Sequence, residues 1–305
     1  MQTILYLSFG ILIGMLFPVP ASFSSHLSSY SKTPLTPSFI AFGVGTMLSL
    51  LLNLIINPAS LLGGIDFSYP AYIYIGGALA GVGYNVANIL LFSKIGASIA
   101  AIITITGQMA AGIIIDHFGL FGITEKVISA QRVIGILIML YAVYLIQKEK
   151  GNFKRSSQIG WIVMGVFSGS LPPLQAAINA KLRYATGSIL SATCISFFVG
   201  TLILIALILL SEKRLEFPIF DENKQRIPVY YYLSGIFGII IVGGNIILIP
   251  ILGSVLTSMV FILGQIAMSL IIDQVGLFHL QKRSVTKTKI AALALIVTGI
   301  LFAKI

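Results

Sequence analysis

The sequence is a succession of long apolar runs separated by short polar connectors. A bilayer core about 30 Å thick takes roughly 20 residues of helix to cross, and ten runs are long enough to do so. Their approximate bounds are 3–28, 36–57, 70–92, 97–115, 130–147, 159–182, 188–210, 229–250, 254–272 and 287–304. Because each run is continuously apolar rather than alternating, the pattern predicts helices and not a transmembrane barrel. The expected fold class is an all-α polytopic membrane protein with ten transmembrane helices.

Composition supports a membrane location. Hydrophobic residues make up 57% of the 305 positions and charged residues 9%, whereas a soluble domain carries about 25% charged residues. So few charges cannot cover a water-exposed surface, which excludes a soluble enzyme and a nucleic-acid-binding protein. The net charge of +10 is typical of membrane proteins, whose Lys and Arg residues gather in loops.

The sequence also lacks the signatures of several kinds of chemistry. One cysteine and three widely spaced histidines predict neither a disulfide framework nor a metal site. No P-loop motif is present, so ATP-driven transport by this chain is not expected. We therefore expect no enzymatic activity and no cofactor.

The second half of the sequence repeats the first. GQMAAGIIIDHFGLFG at 107–122 and GQIAMSLIIDQVGLFH at 264–279 share nine of sixteen positions, at an offset of 157 residues. Nearer the start of each half the offset is 155 residues, and glycines and prolines coincide: Gly10, Gly14 and Pro18 match Gly165, Gly169 and Pro173. A chance match between apolar segments would not align Gly, Pro, Gln and Asp together.

The repeat predicts the organisation of the chain. We expect a first five-helix repeat at 1–147, a basic linker at 148–158 and a second five-helix repeat at 159–305. Five spans is an odd number, so the second repeat should enter the membrane inverted relative to the first. An inverted 5+5 repeat is a recurrent design of secondary transporters, whose sites lie near the midplane between the repeats.

Both halves resemble the YdcZ-like inner-membrane family of the drug/metabolite transporter superfamily. The resemblance rests on GSLPPLQAAINAKLR at 169–183, SFFVGT at 196–201 and the two GQ…D…GL blocks. It implies a bacterial multipass protein of the inner (plasma) membrane that transports or exports small molecules, and it supplies no substrate. The first half departs from the pattern, because Pro20 and Ser24 stand where the second half has Gln175 and Asn179.

The expected function is secondary-active transport of a small organic solute by alternating access. The expected partners are that solute and the lipid bilayer, without nucleic acid. A fused chain holds both repeats, so either a monomer or a homodimer is expected. The alternative is a non-transporting multipass protein, such as a receptor, scaffold or lipid-handling factor; the inverted repeat favours transport.

Loop charges predict an orientation. Loops opposite the N-terminal side carry 14 Lys and Arg residues and loops on the N-terminal side carry 5. The positive-inside rule then places both termini outside the cell, whereas the superfamily resemblance implies termini inside. Orientation, direction, coupling ion and substrate identity stay open at this point.

Polar residues inside the spans are the candidates for a substrate site, since each needs a partner or a cavity. Gln175 and Asn179 share one helix face and directly follow a pair of prolines. We expect these prolines to break the helix and to leave backbone groups free for a ligand. The helix-breaking prolines of the two repeats are Pro18, Pro20, Pro172 and Pro173. The alternative is a kink that only shapes packing.

Three further groups of polar residues within the spans are candidates. Gln108 and Gln265 occupy equivalent positions near the middle of their spans, and Asn88 and Asn245 form a second equivalent pair. Tyr84 lies on the same helix face as Asn88 and has an isoleucine at the equivalent position in the second repeat. These side chains could contact a solute, or they could form interhelical hydrogen bonds and helix caps.

Few ionisable groups lie in the spans. His26 is the titratable group of the first run, and we include it among the candidate site residues, although it could equally be a polar residue at the interface. Asp116 and Asp273 fall at the ends of the fourth and ninth spans. We expect these carboxylates to act as caps, with a proton relay between Asp116 and His117 as the alternative.

Overall fold

The computed structural model describes residues 2–31, 33–59, 64–95, 97–149, 159–211, 217–219, 226–275 and 286–304. These residues form helices and connecting loops. The helices are α1 (Gln2–Gly14), α2 (Pro18–Ser31), α3 (Leu35–Ile56), α4 (Tyr72–Ile95), α5 (Ala97–His117), α6 (Ala130–Glu149), α7 (Ile159–Thr186), α8 (Ile189–Ser211), α9 (Ser234–Leu252), α10 (Ser254–Val275) and α11 (Lys287–Lys304). From residue 150 onward, the predicted linker at 148–158 lies outside the described residues.

Several of the helices have the length and composition of membrane spans. Within the described ranges, six segments are long and apolar enough to cross a bilayer: Gln2–Pro20, Leu35–Ile56, Tyr72–Leu91, Ile159–Thr186, Ile189–Ser211 and Val229–Leu252. Ala130–Leu145 and Ser254–Met268 are shorter apolar helices. Large apolar side chains such as Met47, Ile55 and Leu210 are 75%, 70% and 81% exposed. Such a surface suits lipid and not water, so the all-helical, multi-span fold class is confirmed.

The predicted run at 3–28 forms two helices, and the break falls just before Pro18, one of the prolines expected to break its helix. The chain breaks between α1 and α2, where the Leu16 and Phe17 amides donate to the carbonyls of Ile13 and Gly14 at 3.0 and 3.2 Å. These are the tighter bonds of a 3₁₀ turn. Phe17 precedes Pro18, and a residue before proline disfavours the helical conformation. Pro18 then begins α2, the position where its missing N–H matters least.

The predicted helix break at the double proline is not seen. Helix α7 runs through Pro172 and Pro173 without interruption. Proline removes a backbone donor, but its fixed φ is compatible with a helix. Close packing on both sides of the prolines, described below, holds the two parts of α7. The two repeats therefore differ at this position: the first repeat has two helices, α1 and α2, where the second has the continuous helix α7.

The chain divides into two compact units, each built from both predicted sequence repeats. Unit 1 is Met1–Pro18, Leu91–Pro173 and Leu248–Ile305, and unit 2 is Val19–Leu90 and Leu174–Ile247. The boundaries after residues 18 and 173 are 155 residues apart, and those after residues 90 and 247 are 157 apart. These are the two offsets of the sequence repeat, so the chain passes between the units at equivalent positions of each repeat.

Unit 1 contains two equivalent helix pairs joined through glycines. A Cβ at Gly14 would lie 2.3 Å from the carbonyl oxygen of Phe261, and one at Gly169 would lie 2.1 Å from that of Thr104. Helix α1 thus packs on α10 as the first part of α7 packs on α5. The other matched contacts are Gly10 with Val260, Gly165 with Ile103, Gly264 with Ile11 and Gly107 with Val166. Each of these contacts of one pair maps onto a contact of the other by the sequence offsets.

Unit 2 is centred on the pairing of α3 with α8. Thr46 and Thr201, which are equivalent in the repeat, have their hydroxyl oxygens 3.0 Å apart. Near the end of α3, the carbonyl Oδ1 of Asn53 accepts a 2.8 Å hydrogen bond from the Ser191 hydroxyl near the start of α8. The end of one helix meets the start of the other, so α3 and α8 run antiparallel.

Candidate functional site

Asn179 lies at a close contact between α7 and α4 in unit 2. Its side chain is buried, with 1% exposure, and its Nδ2 donates to the Ser196 hydroxyl of α8 at 3.1 Å. Its Oδ1 faces Gly77, where an added Cβ would lie only 2.1 Å away. Within the described part of the chain, Oδ1 has no hydrogen-bond partner. The Asn179 amide is therefore tightly held on one side and unsatisfied on the other.

Gln175 makes the neighbouring contact one turn earlier on α7. A Cβ at Gly81 would lie 2.4 Å from the Gln175 Nε2. The pair Gly77 and Gly81 thus receives the pair Asn179 and Gln175, each spaced by one helical turn. The structure therefore places both predicted site amides, which belong to α7, against one face of α4.

Tyr84 and Asn88 continue this face of α4. Positions 77, 81, 84 and 88 recur at helical spacing and share one side of the helix. The Asn88 Oδ1 is buried and, among the described residues, has no hydrogen-bond partner. Its repeat equivalent Asn245 differs, because its Nδ2 donates to the Ile241 carbonyl of its own helix at 3.1 Å. The two asparagines therefore do not form a matched pair of contacts.

His26 belongs to an aromatic cluster at another place in unit 2. Its ring stacks on Tyr231 with centroids 4.3 Å apart and planes inclined by 23°. The Tyr30 hydroxyl lies 3.1 Å from the His26 Nε2, and Phe23 packs edge-on against Tyr231 at 5.5 Å. His26, a candidate site residue, is thus packed among aromatic rings, and its ring nitrogen is hydrogen-bonded to Tyr30.

Gln108 and Gln265 lie in unit 1, on α5 and α10, and are partly buried. Each follows a glycine in close backbone contact with a neighbouring helix: Gly107 meets the Val166 carbonyl and Gly264 meets the Ile11 carbonyl. They occupy equivalent positions in the two helix pairs. The candidate residues thus fall into separate groups, and whether each contacts a solute stays a prediction.

A buried ion pair in unit 1 was not predicted from the sequence. Asp116, at 0% exposure, accepts a 2.8 Å hydrogen bond from Arg132 Nη2 of α6. Its carboxylate also accepts from the backbone amides of Ser254 and Val255 at 2.5 and 3.1 Å. These are the first amides of α10, where a negative charge meets unpaired donors and the positive end of the helix dipole. Asp116 is therefore a cap, as expected, but it caps another helix.

Lys126 completes this cluster from the loop before α6. Its Nζ donates to the Leu252 carbonyl at the end of α9, and Arg132 Nη1 donates to the Lys126 carbonyl at 2.8 Å. Burial lowers the pKa of Lys126, Asp116 opposes that shift, and Arg132 adds to it. Gly253 separates α9 from α10 with φ of +84°, and a Cβ there would lie 2.8 Å from the carboxylate. The cluster fixes the turn between these helices.

The proton-relay alternative receives no support from this geometry. The polar partners of the Asp116 carboxylate are Arg132, Ser254 and Val255, and His117 packs instead against Phe118 at 4.8 Å. The side chain of Asp273 lies outside the described residues. Among the described residues, no group of three His, Cys, Asp or Glu side chains could hold a metal ion.

Comparison with known proteins places the chain in a family. The family model described as "Putative inner membrane exporter, YdcZ" matches residues 5–145 and 160–302. A solved structure described only as "Crystal structure of protein" is similar with a TM-score of 0.67 and 17% identity, over 98% of this chain and 95% of that chain. At this identity the likeness concerns the fold alone. No curated protein matches the sequence.

The family match covers both halves of the sequence, including the repeated glycine contacts and the buried Asp116 cluster. Together with the apolar helices, it indicates a multi-pass protein of the inner membrane that acts in transport. The chain belongs to the YdcZ inner-membrane exporter family of the drug/metabolite transporter superfamily.

Proposed function

We propose that the protein is a secondary-active transporter that moves a small, neutral or amphipathic organic solute across the inner membrane by alternating access. The family description favours export as the direction. We further propose that its ten spans form an inverted 5+5 repeat, with one repeat at 1–147 and the other at 159–305. A monomer or a homodimer could carry out this activity, because one chain contains both repeats.

One observation carries the proposal, namely the matched helix contacts of the two repeats. The contact of Gly14 with Phe261 has its counterpart in the contact of Gly169 with Thr104. The antiparallel pairing of α3 with α8 through Thr46 and Thr201 supports an inverted relation between the repeats. In such a fold the two repeats can exchange conformations, which supplies inward-open and outward-open states from one architecture.

The candidate solute site is the α4–α7 contact of unit 2, with Gln175 and Asn179 supplying amide groups. The equivalent positions, Pro20 and Ser24, offer no amide. The hydrogen-bonding wall of the site would then come mainly from the second repeat. His26, Gln108 and Gln265 are further candidates on other surfaces of the two units.

Solute flux in proteoliposomes tests the function. The purified full-length chain is reconstituted, and the uptake and efflux of a panel of labelled solutes are measured with and without proton or sodium gradients. We expect protein-dependent, saturable flux of at least one uncharged organic solute. Absence of flux for every solute in both directions would favour a non-transporting membrane protein.

A further inference from the structure

Two buried amide oxygens in unit 2 have no hydrogen-bond donor. They are the Oδ1 atoms of Asn179 on α7 and of Asn88 on α4, and neither has a partner among the described residues. A buried acceptor without a donor is unfavourable, and most buried polar groups in proteins are satisfied. An unsatisfied acceptor at a predicted transport site therefore indicates that a ligand supplies the donor.

The two oxygens lie along one face of α4. Asn179 rests on Gly77, Gln175 rests on Gly81, and the face continues to Asn88 eleven residues beyond Gly77. At 1.5 Å per residue, this stretch of helix is about 16 Å long. The glycines let α7 approach α4 closely, so the acceptors line a narrow strip with no intervening side chains at 77 and 81.

The part of unit 2 that the structure describes offers no acidic side chain near the strip to balance a cationic ligand. The described helices of unit 2 contain no Asp or Glu, and the described acid of this unit, Asp66, is exposed in a loop. Amide oxygens accept hydrogen bonds without carrying charge. The strip is therefore suited to uncharged N–H or O–H groups.

We propose that the α4 face of Gly77, Gly81 and Asn88, with Gln175 and Asn179, binds a neutral solute that donates hydrogen bonds, such as a primary amide or a polyol. This proposal rests on the proposed transport function. Gly77 covers the Asn179 Oδ1, so a solute reaches this oxygen when α4 separates from α7. The solute-open state of the transport cycle supplies that separation.

Matched solutes with and without donors test the proposal. The probes are benzamide with N,N-dimethylbenzamide, and methyl glucoside with its fully O-methylated form. The thermal unfolding midpoint of the full-length chain in detergent is measured against probe concentration, because a ligand that binds the folded state raises it. We expect the donor-bearing member of at least one pair to bind about tenfold more tightly than its methylated partner.

Variants connect the discrimination to the acceptors. A probe this small contacts one of the two acceptors, so either Asn179→Leu or Asn88→Leu should weaken binding of the donor-bearing probe by about 3–10-fold, which corresponds to one lost hydrogen bond. Binding of the methylated probe should not change. Asn179→Leu leaves the Ser196 hydroxyl without its partner, so Asn179→Leu with Ser196→Ala is a second variant. Gly43→Ala is the control, since its Cβ would meet nothing within 4 Å.

The outcomes separate this proposal from the transport function. Equal binding of both members of each pair, or unchanged discrimination in the leucine variants, would overturn the acceptor strip while leaving transport intact. If no probe binds the protein, the acceptor strip is wrong; if in addition no solute of the panel moves in proteoliposomes, the transport function is wrong as well.

Discussion

Replacing Asp116 by Asn should strongly destabilise the protein. The carboxylate is fully buried and paired with Arg132, whose side chain is 11% exposed. Asn keeps the size of the side chain but removes the charge, so the guanidinium stays buried without a counter-ion. Breaking a buried ion pair in this way typically costs about 3–5 kcal/mol. Weaker acceptance from the first amides of α10 is part of this cost, since a charge at a helix N-terminus contributes at most about 2 kcal/mol.

The free energy of unfolding is measured by denaturant titration in detergent. Circular dichroism follows the helices, and fluorescence follows Trp161, which lies in unit 1 with Asp116. Glu125→Gln is the matched control, because Glu125 is an exposed acid in the same loop region. We expect less than about 0.5 kcal/mol for this surface change.

Two results would refute this account of Asp116. One is a variant as stable as Glu125→Gln, which would mean that the pair contributes nothing to folding. The other is an Asp116→Asn protein of normal stability that has lost proton-driven flux, which would favour the proton relay.

Replacing Asp116 by Leu and Arg132 by Met together should recover part of the lost stability, because no charge is then left unpaired. The amides of α10 would still lack their acceptor.

Three further predictions concern the site, the repeat and the orientation. Gln175→Ala should weaken apparent solute affinity by roughly 3–10-fold, as expected for one hydrogen bond. Ser24→Ala should weaken this affinity much less. Equal losses of affinity at matched expression would contradict a site on α7. Cysteines at Thr46 and Thr201, in a Cys194→Ser background, should form a disulfide on mild oxidation, visible as altered gel mobility; failure to cross-link would contradict the α3–α8 pairing. Tags at both termini should be accessible in intact cells, as the loop charges predict; labelling only after permeabilisation would reverse the orientation.

The apolar pattern predicted most of the helices because run length and composition decide them. The run at 36–57 became Leu35–Ile56, and the run at 188–210 became Ile189–Ser211. Hydrophobicity alone does not report the break inside the run at 3–28. The break was predicted from Pro18, because proline disfavours helix at the preceding residue. The same rule overestimated the effect of Pro172 and Pro173, which packed neighbours hold within one helix.

The sites were harder to predict because their partners are distant in sequence. The end-of-span position of Asp116 indicated a cap, but not that the capped amides lie at Ser254 and Val255, 138 and 139 residues away. Helical spacing placed Gln175 and Asn179 on one face. It could not show that Gly77 and Gly81 receive them, since that contact depends on how α4 and α7 pack.

Solute exchange in proteoliposomes tests alternating access most directly. Vesicles are loaded with a high concentration of an unlabelled solute that shows flux. A trace of the labelled solute is then added outside, and the label inside the vesicles is measured over time. Alternating access predicts transient accumulation of label inside above its equilibrium level, because the internal unlabelled solute occupies the inward-facing site and slows the exit of label. Flux that does not saturate and shows no such accumulation would contradict the account and indicate a channel.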